Sequence, residues 1–232
     1  MKEDFKDFIE ASGLLEYDPD TISKIYRKNP KRLFKRLWQT LIPIFAYIIS
    51  VGFDKITGKL KNESQARYRA KQLTALLVEL GPAFVKAGQA LSTRPDIIPV
   101  VLLEELSQLQ DQLPGFSGDK AMELIEKDLD KNINDIFLKI DKDPISAASL
   151  GQVHKAILKD GEVVAVKVQR PGLREQITLD LYIVRNIAIW LKNNIGLIRS
   201  DLVALIDELG KRVFEEMDYI NEAENAEKFR DM

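Results

Sequence analysis

The chain has 232 residues, of which 45% are apolar and 30% are charged, and it contains no cysteine and one histidine, His154. The lack of cysteine excludes a disulfide framework, a thiolate zinc site and an iron–sulfur cluster. A single histidine argues against a Ser-His-Asp triad or a multi-histidine metal site, and we expect it to be a structural strand residue. The net charge of −2 argues against nucleic-acid binding, which needs clustered basic charge.

Charge is sharply segregated along the first 60 residues. Residues 1–20 carry seven acidic and two basic side chains, whereas residues 21–53 carry seven basic side chains and no acidic one. Within that basic segment, residues 37–53 form an uncharged run that contains Trp38 and is interrupted by Pro43. The run is shorter than the roughly 20 apolar residues that span a membrane. Two interpretations stay open: a segment in the interface of an anionic membrane, or a helix packed on the domain.

Residues 61–134 have the apolar periodicity of helices. Gly81-Pro82 divides the region, because proline suits the first turn of a new helix. Leucines recur at spacings of three and four on both sides of this break, at positions Leu73, Leu76, Leu77, Leu80, Leu102, Leu106, Leu109 and Leu113. The pattern predicts a helical hairpin or a small bundle.

The pattern changes after residue 134. Residues 149–158 and 162–169 read as two short strands, joined by the two-residue turn Asp160-Gly161. Two helices are predicted to follow, over residues 173–193 and 201–229. Together with the preceding helices, this order predicts an α+β fold.

The two strands carry part of the nucleotide signature of protein kinases. Residues 164–167 read V-A-V-K, close to the V-A-I-K of the kinase strand that bears the phosphate-binding lysine. Residues 146–153 occupy the position of the glycine-rich loop, where Gly151 and Val153 match and serine and alanine replace the first two glycines. In this arrangement Lys167 would place its ammonium group on the nucleotide phosphates.

Four motifs in sequence order extend this match: K-x-G-Q at residues 86–89, the alanine-rich loop at residues 146–153, the strand lysine Lys167, and E-x-D at residues 216–218 followed by Glu222. Their order and spacing resemble the UbiB family of atypical kinases, the AarF-domain-containing (ADCK) kinases linked to isoprenoid-quinone metabolism. The basic, aromatic leader looks most like the cyanobacterial and plastid branch of that family.

The resemblance, which covers roughly residues 60–232, implies catalytic roles for four side chains. Lys86 and Gln89 would lie over the nucleotide site, and Lys86 would reach the acidic pair Glu216 and Asp218. The helical extension that carries K-x-G-Q would cover the place where a protein substrate docks. The resemblance therefore favours ATPase or small-molecule kinase chemistry over protein phosphorylation.

The same resemblance implies a nucleotide-binding set. Lys167 and Glu222 would form an ion pair, and if that pair is buried, the loss of one partner would cost about 3–5 kcal/mol. Ala147 and Ala148 would shape nucleotide preference. Ser146 departs from the alanine that many members have at its position, which leaves the nucleotide selectivity of the loop open. The set comprises Ser146, Ala147, Ala148, Ser149, Gly151, Val153, Lys167 and Glu222. The implied cofactor is ATP or ADP with Mg²⁺.

Neither H-R-D-x-x-x-x-N nor D-F-G, which supply the catalytic aspartate and the metal ligands of kinases, occurs in the 232 residues. We therefore assign no metal ligand to this chain and expect the Mg²⁺ ligands in a carboxyl-terminal lobe that it lacks. The expected architecture is a leader at residues 1–60, a helical KxGQ extension at residues 61–134, and a kinase-like N-lobe with a small antiparallel sheet at residues 135–232.

Two functions stay open on the sequence. One is the amino-terminal part of an atypical kinase or ATPase that binds ATP and supports isoprenoid-quinone or other membrane lipid metabolism. The other is a non-catalytic module that binds a membrane or a protein. The expected partners are a nucleotide, an anionic membrane surface and lipid or quinone-pathway components, with no nucleic acid. The expected location is cytoplasmic and membrane-associated, at a thylakoid or inner membrane.

Overall fold

Helices dominate the amino-terminal part of the protein in a computed structural model, which describes residues 14–110, 113–194, 201–230 and 232. Short 3-10 helices at Lys59–Lys61 and Gln108–Gln110 complete this part. The α-helices are α1 (Pro19–Arg27), α2 (Pro30–Ile56), α3 (Glu63–Leu80), α4 (Pro82–Ser92) and α5 (Val100–Ser107).

The carboxyl-terminal part contains one sheet, and helices precede and follow its strands along the chain. Its elements are α6 (Gly118–Leu129), α7 (Ile133–Ile136), β1 (Phe137–Ile140), β2 (Ser146–Ala147), β3 (Gly151–Leu158), β4 (Val163–Gln169), α8 (Leu173–Asn194), α9 (Leu202–Met217) and α10 (Tyr219–Arg230). The predicted α+β class is confirmed.

The helix boundaries in the extension follow from capping residues. The Asn62 side chain accepts the N–H of Ser64 at 2.9 Å and so caps the start of α3. Gly81, at φ 109°, ends α3 in a backbone conformation that favours glycine, and Pro82 opens α4 as predicted. Helices α3, α4 and α5 enclose a small core around the fully buried Leu106 and Leu109.

The sheet is antiparallel and centred on β3. Strand β4 pairs along the length of β3, while β1 and β2 pair with successive parts of its other edge. The predicted hairpin is confirmed: Gly161 has φ 92°, and the N–H of Leu158 donates to the carbonyl of Glu162 at 2.8 Å. The register places Val153 opposite Lys167, which brings the loop before β3 next to the strand lysine.

Buried polar residues tie the sheet to the segment that arrives from the extension. Gln152 accepts the backbone N–H of Phe116 at 2.8 Å and donates to the carbonyl of the same residue at 3.2 Å. His154 is fully buried, with Nε2 next to the Gln152 amide and Nδ1 next to the Asp141 carbonyl. Its hydrogen bonds are structural, as predicted.

The largest core surrounds α8 and includes residues from the leader. Ile22, Ile25 and Tyr26 of α1 are buried in this core, and the Tyr26 hydroxyl bonds to the Thr178 hydroxyl of α8 at 2.8 Å. Leu33 and Leu37 of α2 pack on the same core. Residues 14–60 thus lie on the domain rather than apart from it.

One helix prediction is wrong in detail. The predicted single helix over residues 201–229 is two helices, with the break at Asp218. Asp218 leaves the helical conformation, at ψ 85°, and its carboxylate accepts the N–H of Asn221 at 3.0 Å, which caps the start of α10. Apolar periodicity alone cannot reveal such a break, because aspartate is compatible with both a cap and an exposed helical position.

Candidate functional site

A cleft of about 900 Å³ opens between the loop before β3 and helices α9 and α10. This volume lies within the range of small-molecule sites in proteins, roughly 300–1,000 Å³. Four basic and four acidic side chains face the cleft: Lys86, Lys167, Lys211, Arg212, Glu208, Glu215, Glu216 and Glu222. The cleft is therefore highly charged and close to neutral in sum.

Lys167 of β4 and Glu222 of α10 form the predicted ion pair. The ammonium group donates to both carboxylate oxygens of Glu222, at 2.7 and 2.5 Å. It also lies 4.3 Å from the centre of the Tyr219 ring, where the negative face of the aromatic system attracts a cation. Lys167 is thereby held at one position in the cleft by two neighbours from the same helix.

The Lys167–Glu222 pair is not buried. The two side chains are 40% and 56% exposed, so the cost of 3–5 kcal/mol expected for a buried pair does not apply. Exposed pairs contribute about 0–1 kcal/mol, because water screens the attraction. The pair therefore fixes geometry more than it stabilises the fold.

Tyr219 of α10 packs against the loop before β3. Its hydroxyl is buried and makes no hydrogen bond to any residue that the structure describes. Burial, followed by the nearby charge of Glu222, raises the pKa of Tyr219 to about 12, so the phenol stays neutral. A Cβ at Gly151 would lie 2.5 Å from this hydroxyl, which explains why the loop needs glycine at that position.

Lys86 reaches the cleft from α4 and pairs with Glu216 of α9. Of the two acids that the resemblance pairs with Lys86, the described structure brings only Glu216 to it, because Asp218 caps α10 instead. Gly88, two residues after Lys86, allows close helix packing: a Cβ there would lie 2.6 Å from a methyl group of Leu109.

Gln89 lies outside the cleft lining. Its amide nitrogen donates to the carbonyl of Leu109 at 2.7 Å, which holds α4 against the 3-10 helix after α5. In this structure Gln89 acts on the position of Lys86 through the helix that both residues share. Contact between Gln89 and a ligand in the cleft stays a prediction.

The alanine-rich loop divides into a strand and a tight turn. Ser146 and Ala147 form β2 and pair with Val153 and Gln152, so Ser146, Ala147 and Val153 support the loop from outside the cleft lining. Four residues of the turn line the cleft: Ala148, Ser149, Leu150 and Gly151. The N–H of Ala148 donates to the Gly151 carbonyl at 2.8 Å, which closes the turn on itself.

Arg170 lies beside the cleft and supports its loop, a role that the sequence analysis missed. Its guanidinium donates to the carbonyl of Ala148 at 2.9 Å and to that of Pro114 at 2.6 Å, so it links the alanine-rich loop to the extension. Burial lowers the pKa of Arg170 from its usual value. The one sequence feature that could have indicated this role is its position between the end of β4 and the turn residues Pro171-Gly172.

The other cations of the cleft lie on α9. Arg212 pairs with Glu208 one turn before it, at 3.0 Å, and Lys211 lines the cleft beside them. No motif marked these two residues in the sequence. Among the residues that the structure describes, no group of three or more His, Cys, Asp or Glu side chains could hold a metal ion.

Comparison with known proteins places these features in one family. Residues 108–232, more than half of the chain, match the model of the ABC1 atypical kinase-like domain. An uncharacterized protein of Synechocystis is 50% identical over 214 residues, which are 92% of this chain and 31% of that protein.

Two Arabidopsis thaliana proteins are similarly close. Protein ACTIVITY OF BC1 COMPLEX KINASE 3, chloroplastic, is 42% identical over 92% of this chain and 30% of its own length. An uncharacterized aarF domain-containing protein kinase, also chloroplastic, is 47% identical over 95% of this chain and 32% of its own length. The chain thus spans about a third of the length of the curated relatives that it matches. It has the small antiparallel sheet and helical extension expected of a kinase-like N-lobe, and it belongs to the ABC1 (AarF/ADCK) family of atypical kinases.

Proposed function

We propose that this chain provides the nucleotide-binding lobe of an ATP-dependent atypical kinase or ATPase. One observation carries the proposal: Lys167, on β4 beside the tight loop that precedes β3, is held by Glu222 at the edge of a cleft large enough for a nucleotide. A lysine held by a helix glutamate is the part of the kinase machinery that binds the α- and β-phosphates.

The charges of the cleft suggest how a polyphosphate would enter. Lys167 can contact a phosphate while it keeps Glu222, because its three N–H donors are not all used by one carboxylate. Lys86, whose partner Glu216 is 49% exposed, can exchange that carboxylate for phosphate oxygens. ATP brings Mg²⁺ charge that offsets the phosphates, and we assign no ligand for that ion to this chain.

The loop would then contact the nucleotide through Ala148, Ser149, Leu150 and Gly151. The methyl groups of the alanines keep the loop backbone farther from a bound nucleotide than glycines would. Arg170 fixes the loop to the extension through its bonds to the carbonyls of Ala148 and Pro114, so the extension and the loop would respond to nucleotide together.

Calorimetric titration of the chain with ADP and with Mg-ATP tests the proposal. We expect Lys167→Ala to weaken binding at least tenfold, or about 1.4 kcal/mol, because it removes the cation that faces the phosphates. Lys192→Ala is the matched control, since Lys192 is a half-exposed lysine that pairs with Asp201 outside the cleft. Equal affinity of the wild type and Lys167→Ala, or binding by neither, would contradict nucleotide recognition at this cleft.

The context of the activity is also a proposal. Two relatives are named as chloroplastic, which favours a plastid or cyanobacterial setting for this chain. The link to isoprenoid-quinone or other lipid metabolism rests on the family resemblance, and one relative carries the words bc1 complex kinase in its name. By the family resemblance, the extension would cover the face where a protein substrate docks, and a lipid or quinone-pathway substrate would suit such a site.

The second candidate is a binding module without catalysis. It is favoured by a long apolar helix surface outside the cleft, on α2. The two candidates differ in the titration above: a pure binding module requires no Lys167-dependent affinity for nucleotide.

A further inference from the structure

A continuous apolar surface runs along α2 and is not covered by the domain. Its large side chains are between 51% and 88% exposed and recur at spacings of three and four residues, which places them on one side of the helix. We call this surface the α2 stripe: Phe34, Trp38, Ile42, Phe45, Ile49, Phe53 and Ile56. Scattered exposed apolar residues are ordinary, but a stripe of about 33 Å, at 1.5 Å per residue, marks an interaction surface.

The opposite side of α2 is fastened to the domain by polar contacts. Arg36 donates to both carboxylate oxygens of Asp180, at 2.6 and 2.8 Å, and the Asp180 side chain has no exposed surface. Near the other end, Asp54 accepts from Arg69 at 2.6 Å and from Gln65 at 2.7 Å. The helix is thereby held along its length, with the stripe facing outward.

Basic side chains border both ends of the stripe. Lys31 and Lys35 are exposed one turn before Phe34 and Trp38, respectively, on the same side of the helix. No ion pair joins either lysine to a carboxylate in the described parts of the chain. At the other end, Lys59 lies 5.6 Å from the centre of the Phe53 ring. An apolar stripe between lysines matches an anionic bilayer, with ammonium groups at the headgroups and apolar side chains among the acyl chains.

Length and composition alone would also permit α2 to cross a membrane, and α2 is the one helix among the described residues for which this holds. A crossing helix would have to leave the domain. Asp180 would then lie buried without Arg36, and Asp54 would leave Arg69 and move toward the hydrocarbon. A helix that lies in the plane of the interface keeps both ion pairs and still buries the stripe.

We propose that the α2 stripe docks this protein onto an anionic lipid surface with α2 lying in the membrane plane. The domain then rests on one leaflet, and the stripe reaches the boundary between headgroups and acyl chains, about 5–10 Å deep. This inference does not depend on nucleotide binding, because no residue of the stripe lines the cleft.

Vesicle binding tests the docking. We expect the chain to float with phosphatidylglycerol–phosphatidylcholine vesicles, to bind pure phosphatidylcholine far less, and to be released by salt, which screens the lysines. Phe45→Glu with Ile49→Glu should reduce binding at least tenfold, because two charges then face the acyl chains. Leu205→Glu is the matched control, since Leu205 is an equally exposed apolar residue on α9 and should leave binding unchanged.

The depth of the stripe separates the in-plane helix from a crossing one. The chain has two tryptophans, Trp38 and Trp190, so a Trp38→Phe, Trp190→Phe, Phe45→Trp variant carries one reporter at the middle of the stripe. We expect bromine near the glycerol end of the acyl chains to quench this tryptophan more than bromine near the methyl end. Stronger quenching by the deep bromines would overturn the proposal.

Two further outcomes would overturn it. The first is no binding to anionic vesicles by the folded wild-type chain, with folding checked by circular dichroism. The second is a lipid-free dimer in light scattering that Phe45→Glu with Ile49→Glu converts to monomer, which would assign the stripe to a second copy of the chain. Since neither readout involves nucleotide, failure here leaves the cleft assignment standing.

Discussion

Two sets of ion pairs in this protein, one along α2 and one in the cleft, differ in burial. Along the domain side of α2, Asp180 and Asp54 have 0% and 3% of their side chains exposed and pair with arginines. In the cleft, Lys167 and Glu222 are 40% and 56% exposed. A buried pair cannot be opened without leaving an unpaired charge in a poorly solvated place, whereas an exposed one can exchange its partner for water or a ligand. The first arrangement fastens a helix, and the second keeps a binding site available.

The chemistry of the basic residues follows the same division. Arginine holds α2, because its planar guanidinium fits both oxygens of a carboxylate at once and stays charged. Three of the four basic residues that line the cleft are lysines, whose compact ammonium on a flexible stem can move between a carboxylate and a phosphate. Arg170 combines the two roles: it lies beside the cleft, and its guanidinium holds the carbonyls of Ala148 in the loop and of Pro114 in the extension.

The largest effect on stability should come from the buried Arg36–Asp180 pair that fastens α2. Arg36→Ala leaves the Asp180 carboxylate buried without its partner, and we expect the free energy of unfolding to fall by about 3–5 kcal/mol. Burial already raises the pKa of Asp180 against the opposing effect of Arg36. The variant should therefore lose less stability in acid, where Asp180 is protonated, than at neutral pH. Urea denaturation at both pH values measures this.

A matched control separates burial from simple loss of an arginine. Arg212→Ala removes the exposed pair with Glu208 and should change the unfolding free energy little. A loss from Arg36→Ala as small as that from Arg212→Ala would show that α2 is not fastened by Asp180.

An intermediate effect is expected at the other end of α2. The hydrogen bond from Arg69, and then that from Gln65, lower the pKa of Asp54 in the folded protein. A carboxylate with a lowered folded pKa contributes stability above its ordinary pKa of about 3.9, and that contribution is lost as the pH falls. Asp54→Asn should thus lower the Tm at about pH 7, and the difference from wild type should shrink toward about pH 3.

The control for Asp54 is the exposed Asp128. Asp128→Asn should give a Tm close to wild type across the same pH range. A constant difference between wild type and Asp54→Asn at all pH values would mean that shape, and not charge, accounts for the role of Asp54.

The smallest stability effect belongs to the cleft. In a double-mutant cycle with Lys167→Ala and Glu222→Ala, we expect a coupling free energy of about 0–1 kcal/mol, because both side chains are solvated. The same Lys167→Ala variant should lose nucleotide affinity strongly, so its binding and stability effects diverge. A coupling as large as the loss expected from Arg36→Ala, about 3–5 kcal/mol, would remove the contrast between the two places.

Much of the site was predictable from local sequence. The strand with Lys167 and the Asp160-Gly161 turn follow from alternation and turn chemistry over fewer than ten residues, and the structure confirms both. The pairing of Lys167 with Glu222 and of Lys86 with Glu216 followed from the family resemblance, and the structure brings both pairs together.

Other parts could not be predicted, because they depend on contacts distant in sequence. The role of Arg170 arises from carbonyls 22 and 56 residues away, and that of Gln89 from a carbonyl 20 residues away. Carbonyl acceptors occur at every residue and leave no trace in the sequence. Asp218 caps α10 and so does not pair with Lys86, and this role became visible only once the turn between α9 and α10 was known.

The sequence by itself determined the family, the α+β class and the residue types of the cleft, because motif spacing and periodicity are local properties of the chain. Only the tertiary structure decided which side of α2 is free and how exposed the charged pairs are. Exposure is set by what packs against a side chain from elsewhere in the fold. The sequence of α2 does not reveal that the domain covers Arg36 and leaves Phe45 exposed. One is fastened to Asp180 and the other is open to solvent.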